Sequence, residues 1–136
     1  MGIIGSNLKP FTATAFKAGE KFYDVTEKDV EGKWAVFFFY PADFTFVCPT
    51  ELIAFQDQIA EFESRNTVVV GASTDSAFSH WKWLQTPQNE GGIKGVKYPL
   101  YADNSLMVSK AYDVLAGEED YTDEGEEVFV GSPEAY

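Results

Sequence analysis

A chain of 136 residues, 45% of them hydrophobic, has enough material for one small domain around one core. Its formal net charge of −12 argues against nucleic acid and anionic membrane surfaces, and no run of about eighteen apolar residues is present to span a bilayer. The single cysteine, Cys48, rules out an internal disulfide, and the first residues lack a charged-then-apolar leader; both make a reducing, cytoplasmic setting the expectation.

Met1-Gly2-Ile3-Ile4-Gly5-Ser6 fits the spacing of an N-myristoylation signal, but no basic patch follows to help a lone acyl chain hold a membrane. Phe11–Phe16 and Lys21–Val25 are expected as short strands joined by a hairpin turn over Lys17–Glu20. Ala35–Tyr40 is six apolar residues between Gly32 and Pro41, the pattern of a strand buried on both faces. From Pro49 to Arg65, Leu52, Ile53, Phe55, Ile59 and Phe62 recur at roughly helical spacing among polar residues, so an amphipathic helix is expected there. Val68–Ala72 is a second buried strand. Strand, helix and strand form a crossover unit, which makes the two strands parallel.

Ser73-Thr74-Asp75 falls at the C-terminal end of that second strand, where open α/β sheets place their sites. Asp75 or Ser76 is a candidate cap for a helix over Ala77–Gln85. A flexible loop at Gly91–Gly95, a third strand at Lys97–Tyr101 and a short helix at Asn104–Tyr112 complete the pattern. Residues 117–127 are densely acidic and are expected to be a solvated loop or tail rather than a metal site; the apolar Val128–Val130 follows.

Cys48 lies after the Ala35–Tyr40 strand and the Pro41 turn, at the expected start of a helix. A buried free cysteine is most often a small hydrophobe. At a helix start, unpaired N–H groups and the helix dipole favour the thiolate, the reactive form. Thr45 can bring a hydroxyl near the sulfur, Pro41 stiffens the turn, and Phe44, Phe46 and Val47 make the surroundings apolar. Asp43 reads as a solvated turn residue. Glu51 is a candidate helix-start cap or a residue that orients its neighbours. His80, the only histidine, is expected to have a structural or interface role rather than to act as a base for Cys48. Trp81 and Trp83 cannot both face one core, which leaves one for the surface or for an interface between protomers. No Cys-x-x-Cys, phosphate-binding loop, nucleophile elbow or metal-ligand cluster occurs.

Pro41-x-x-x-Thr45-x-x-Cys48 resembles the peroxidatic motif of peroxiredoxins. The longer run Phe37–Leu52 resembles the alkyl hydroperoxide reductase group of typical two-cysteine members. Lys9-Pro10-Phe11, Val25-Thr26-Glu27, Gly32-Lys33-Trp34, Ala72–Asp75, Phe78-Ser79-His80 and Trp83 look like further segments of that family in the same order. The resemblance implies an α/β, thioredoxin-like fold with an N-terminal hairpin extension. It also implies a thiol peroxidase that attacks hydrogen peroxide or organic hydroperoxides through Cys48, with Thr45 and Pro41 shaping the site and no metal or organic cofactor.

By the same resemblance, the chain forms a homodimer or higher oligomer. The oxidised sulfur condenses with a second cysteine on a partner protomer, and a thioredoxin-like protein or flavoprotein reductase regenerates it. Departures from the pattern stand beside these expectations. Arg65, the only arginine, does not match the family's site arginine; no second cysteine is present; and the family's last two strands and last helix have no counterpart. The Ala35–Tyr40 strand is then expected at a sheet edge unless Val128–Val130 or a second chain covers it, an arrangement that invites self-association. A non-catalytic fragment that keeps only the self-association scaffold is the alternative reading.

Overall fold

The computed structural model describes residues 5, 7–45, 48–114, 117–121 and 127–131, with Cys48, 117–121 and 127–131 described by their backbone. The N-terminal motif apart from Gly5, together with Phe46 and Val47, lies outside the described residues.

Strands β1 (Thr12–Phe16) and β2 (Tyr23–Thr26) form the expected antiparallel hairpin, pairing Thr12 with Thr26 and Ala15 with Tyr23. Strand β3 (Trp34–Phe39) runs parallel to β4 (Thr67–Ser73), with Phe37 opposite Val70. Strand β5 (Leu100–Ala102) is parallel to β4 and antiparallel to β1, so the sheet order is β2-β1-β5-β4-β3. β5 begins three residues later than the expected Lys97–Tyr101 strand.

Alternation along the strands divides the apolar residues between two cores. On one face Phe16, Val69 and Leu100 join Tyr40, Leu52, Trp83 and Ile93, with Phe38 packed against them. On the other, Ala15, Val70, Ala72 and Tyr101 join Phe11, Val108 and Ala111, with Phe37 and Phe39 against them. Consecutive apolar residues suit β4 and β5, which are covered on both faces, whereas β3, expected to be buried on both faces, is only half-buried along Val36–Phe39 and exposed at Trp34 and Ala35, because it lies at the sheet edge.

The helix expected over 49–65 is two helices, α1 (Cys48–Asp57) and α2 (Ile59–Ser64), broken at Gln58. No proline or glycine marks the break. There the backbone tightens, with Gln58 N–H bonding to Phe55 O at 3.2 Å. Phe55 stacks on Phe38 at 4.3 Å and meets Phe62 at 6.1 Å, so aromatic contacts fasten α1 to β3 and α2 to α1. Helix α3 (Ala77–Gln85) is capped by Ser76, whose Oγ accepts from Ser79 N–H. Trp83 is fully buried and Trp81 is 40% exposed, so only one tryptophan of the pair serves the core. Helix α4 (Met107–Ala111) is shorter than the expected 104–112 and starts on Asp103, whose carboxylate accepts from the Val108 and Ser109 N–H groups.

The acidic segment corrects an expectation. Residues 117–127 are not simply a loop or tail, because Gly117–Tyr121 forms β6, antiparallel to β7 (Glu127–Gly131). The β-branched and aromatic residues of Val128–Val130 supply strand propensity, and backbone bonding recruits the acidic residues opposite them. This pair is a separate two-stranded sheet, so Val128–Val130 is not a sixth strand beside β3, which is an edge strand of the main sheet.

Candidate active site at the head of α1

β3 ends at Phe39, and Tyr40 N–H still bonds to Ala72 O on β4 at 3.0 Å. Beyond it the chain leaves the sheet at its C-terminal end, bends at the exposed Pro41 and enters α1 at Cys48. The Thr45 hydroxyl donates to Ala42 O at 3.1 Å and closes a local turn. Cys48 is the first residue of α1, where the leading N–H groups of a helix have no partners within it. Glu51 is in the same first turn and is exposed. An open, largely apolar groove of about 530 Å³, lined by Glu51, Ala54, Phe55, Phe62 and Phe38 among others, runs from that turn along the helices.

Beneath this segment is a buried polar network centred on Asp43. The expectation of a solvated turn residue is corrected here: Asp43 is 7% exposed. One carboxylate oxygen accepts from the Tyr40 hydroxyl at 2.7 Å, and the other lies 2.7 Å from His80 Nδ1. The Asp43 N–H donates to Asp75 Oδ2 at 2.8 Å, and the Ser73 hydroxyl donates to the same oxygen at 2.7 Å. Asp75, weighed as a helix cap, therefore ties the end of β4 to the segment before Cys48.

His80 Nε2 faces Tyr101 O at 3.1 Å, and a carbonyl can only accept, so that nitrogen carries a hydrogen. A proton then lies between Nδ1 and Asp43. Both ring nitrogens are engaged and the side chain is fully buried, which makes His80 a structural residue, not a free base. Burial, then the Asp43 carboxylate, pushes the Tyr40 hydroxyl well above its ordinary pKa, so it remains a donor.

Two features of this arrangement are not legible in the sequence. No local pattern pairs Asp43 with a histidine 37 residues away; the juxtaposition arises because the segment after β3 meets α3. Phe44 adopts φ = 59°, a left-handed conformation unusual for an aromatic residue. Arg65 ends α2 and pairs with Glu61 at 3.6 Å, at the far end of the helical segment from Cys48.

Residues 4–131 match the model of the AhpC/TSA family. The chain belongs to the AhpC/TSA family. It is 47% identical over 116 residues to Peroxiredoxin-1 of Gallus gallus, covering 85% of this chain and 58% of that protein. It is 48% identical over 116 residues to Peroxiredoxin prdx-2 of Caenorhabditis elegans, covering 85% of this chain and 57% of that protein. The chain thus spans somewhat more than half the length of these peroxiredoxins. The structure of reduced Plasmodium vivax 2-Cys peroxiredoxin superposes with a TM-score of 0.79 at 32% identity, covering 96% of this chain and 67% of that one. Plasmodium yoelii thioredoxin peroxidase I superposes with a TM-score of 0.74 at 36% identity, covering 91% and 71%. The five-stranded sheet with helices on both faces is accordingly the thioredoxin-like fold of peroxiredoxins.

Proposed function

We propose that this chain is a thiol-dependent peroxidase of the alkyl hydroperoxide reductase and typical two-cysteine peroxiredoxin group. The observation that carries the proposal is Cys48 at the head of α1, directly after the anchored segment that holds Pro41 and Thr45. The Cys48 thiolate attacks one oxygen of hydrogen peroxide or an organic hydroperoxide. An S–O bond forms as the O–O bond breaks, and the leaving oxygen takes a proton to depart as water or an alcohol. Cys48 becomes a sulfenic acid. The leading N–H groups of α1 are the donors suited to the negative charge on the two oxygens, and the Thr45 hydroxyl joins them when it turns from Ala42 O to the substrate. Pro41 limits the conformations of the segment. A thiol reductant, either a thioredoxin-like protein or a flavoprotein reductase, returns the sulfur to the thiol.

The chain works in the cytoplasm as a homodimer or larger assembly. Exposed aromatics support self-association: Phe78 is 71% exposed, and its ring lies 5.0 Å from that of Phe22. A related Plasmodium yoelii protein, Prx1a modified at its N-terminus, forms an artifactual octamer.

A second reading, a non-catalytic scaffold, is favoured by one observation. Arg65, the only arginine, is engaged with Glu61 away from Cys48, and losing a transition-state donor costs about 10²–10³ in rate. Stopped-flow tryptophan fluorescence of the reduced protein mixed with hydrogen peroxide separates the two readings, with Cys48→Ser as the control. A fast change that depends on Cys48 is expected. Oxidation no faster than that of a free thiol would favour the scaffold.

A further inference from the structure

Four described residues other than glycine have positive φ: Phe44, Asn66, Leu106 and Asp113. Asn66 and Asp113 are of the residue types that tolerate this region. Leu106 sits where Asp103 organises the start of α4. Nothing in the local sequence calls for this conformation at Phe44, which stands four residues before Cys48. On one side of it, Asp43 is held by Tyr40, His80 and Asp75. On the other, Thr45 closes back onto Ala42. The Phe44 ring is half exposed and lies 6.0 Å from the ring of Trp83, which is itself buried and fixed by an Nε1–H bond to Gly91 O at 2.9 Å.

Glycine would adopt this φ without a Cβ penalty, so the backbone alone does not call for phenylalanine. We propose that Phe44 is the positioning residue for Cys48: its strained, left-handed backbone turns the chain from the Asp43 anchor towards α1, and its ring, laid against Trp83, holds that turn. The ring contact opposes the strain, so the turn is held by a small margin and is sensitive to a change in either contribution.

The two contributions separate in two variants of the full chain. Phe44→Ala keeps a Cβ in the left-handed region and loses the ring. Phe44→Gly loses the ring and the strain together. Amide hydrogen exchange of residues 44–50 and the rate of Cys48 alkylation by iodoacetamide are the readouts, and neither requires peroxidase activity. In Phe44→Ala, exchange and alkylation should both rise several-fold. In Phe44→Gly they should return towards wild type, below the alanine variant by about three- to ten-fold, a factor within the left-handed penalty of a residue with a Cβ. A residue that acts only by packing would make glycine at least as damaging as alanine, and that outcome overturns the proposal. So would an alanine variant indistinguishable from wild type. If Phe44→Ala fails to fold, Phe44→Leu, which keeps an apolar side chain on Trp83, provides the comparison with glycine.

Discussion

The position of Asp43 shows how one residue links the sheet to the candidate site. A carboxylate taken out of water is tolerated only when its oxygens are hydrogen-bonded, and here the Tyr40 hydroxyl and His80 Nδ1 do this, one to each oxygen. A pair of this kind adds little net stability against an apolar equivalent, whereas removal of one member is costly because the other stays buried. His80→Ala should therefore cost about 3–5 kcal/mol, read as a lower urea midpoint at unchanged slope. Tyr40→Phe, which deletes only the hydroxyl bonded to Asp43 Oδ1, should cost about 1–3 kcal/mol. Equal, small effects from both variants would mean that the network is not held as the distances indicate. At this scale the sequence was informative about His80: nothing in it placed the histidine with Cys48, and a structural or interface role was expected. It placed Asp43 wrongly in solvent, because a turn aspartate two residues after a proline has the same local pattern whether it faces solvent or a histidine from a distant helix.

Among the elements, β4 has little freedom, since it is paired on both sides and covered on both faces. Gly71 stands at its centre, where β3 and β5 both face it. A Cβ there would meet Leu100 Cδ2 at 2.8 Å and the Phe38 ring at 3.0 Å. Leu100 is fully buried and Phe38 is stacked on Phe55, so neither yields easily. Gly71→Ala should destabilise the protein by about 1–3 kcal/mol, measured by thermal or urea unfolding. A neutral result would show that the Phe38–Phe55 stack shifts freely. The central strands were legible because short, unbroken apolar runs between turn residues suit a strand covered on both faces. The break at Gln58 was not, since the spacing of Leu52, Phe55, Ile59 and Phe62 suits one helix or two, and only packing against Phe38 distinguishes them. The strand at 117–121 was hidden for a different reason. Its acidic side chains oppose strand formation locally, and the ladder to Glu127–Gly131 that overrides them is a pairing between segments.

For the whole molecule, the sequence conveyed fold class through the order of its segments. Its aromatic content has a further, global consequence. Seven tyrosines occur in the chain, and five of them, Tyr23, Tyr40, Tyr98, Tyr101 and Tyr112, have hydroxyl pKa values raised by burial above the ordinary value. Tyr98 also donates to Leu52 O at 2.6 Å, a bond that requires the neutral form. The sign of the resulting pH dependence follows from proton counting. Below about pH 10 these tyrosines are protonated in both the folded and unfolded states and contribute no slope. Above it the unfolded chain releases protons that the folded chain retains, so unfolding becomes progressively easier, and a chain already at −12 gains further self-repulsion as it ionises. The urea midpoint should hold steady up to about pH 9 and fall steeply above about pH 10. Tyrosinate absorbance should rise in step with loss of the near-ultraviolet circular dichroism, because buried hydroxyls ionise only as the chain opens. If instead most of the tyrosine signal titrated near its free value while that dichroism persisted, the hydroxyls would be in contact with water, and the two cores that flank the sheet would be looser than their packing implies.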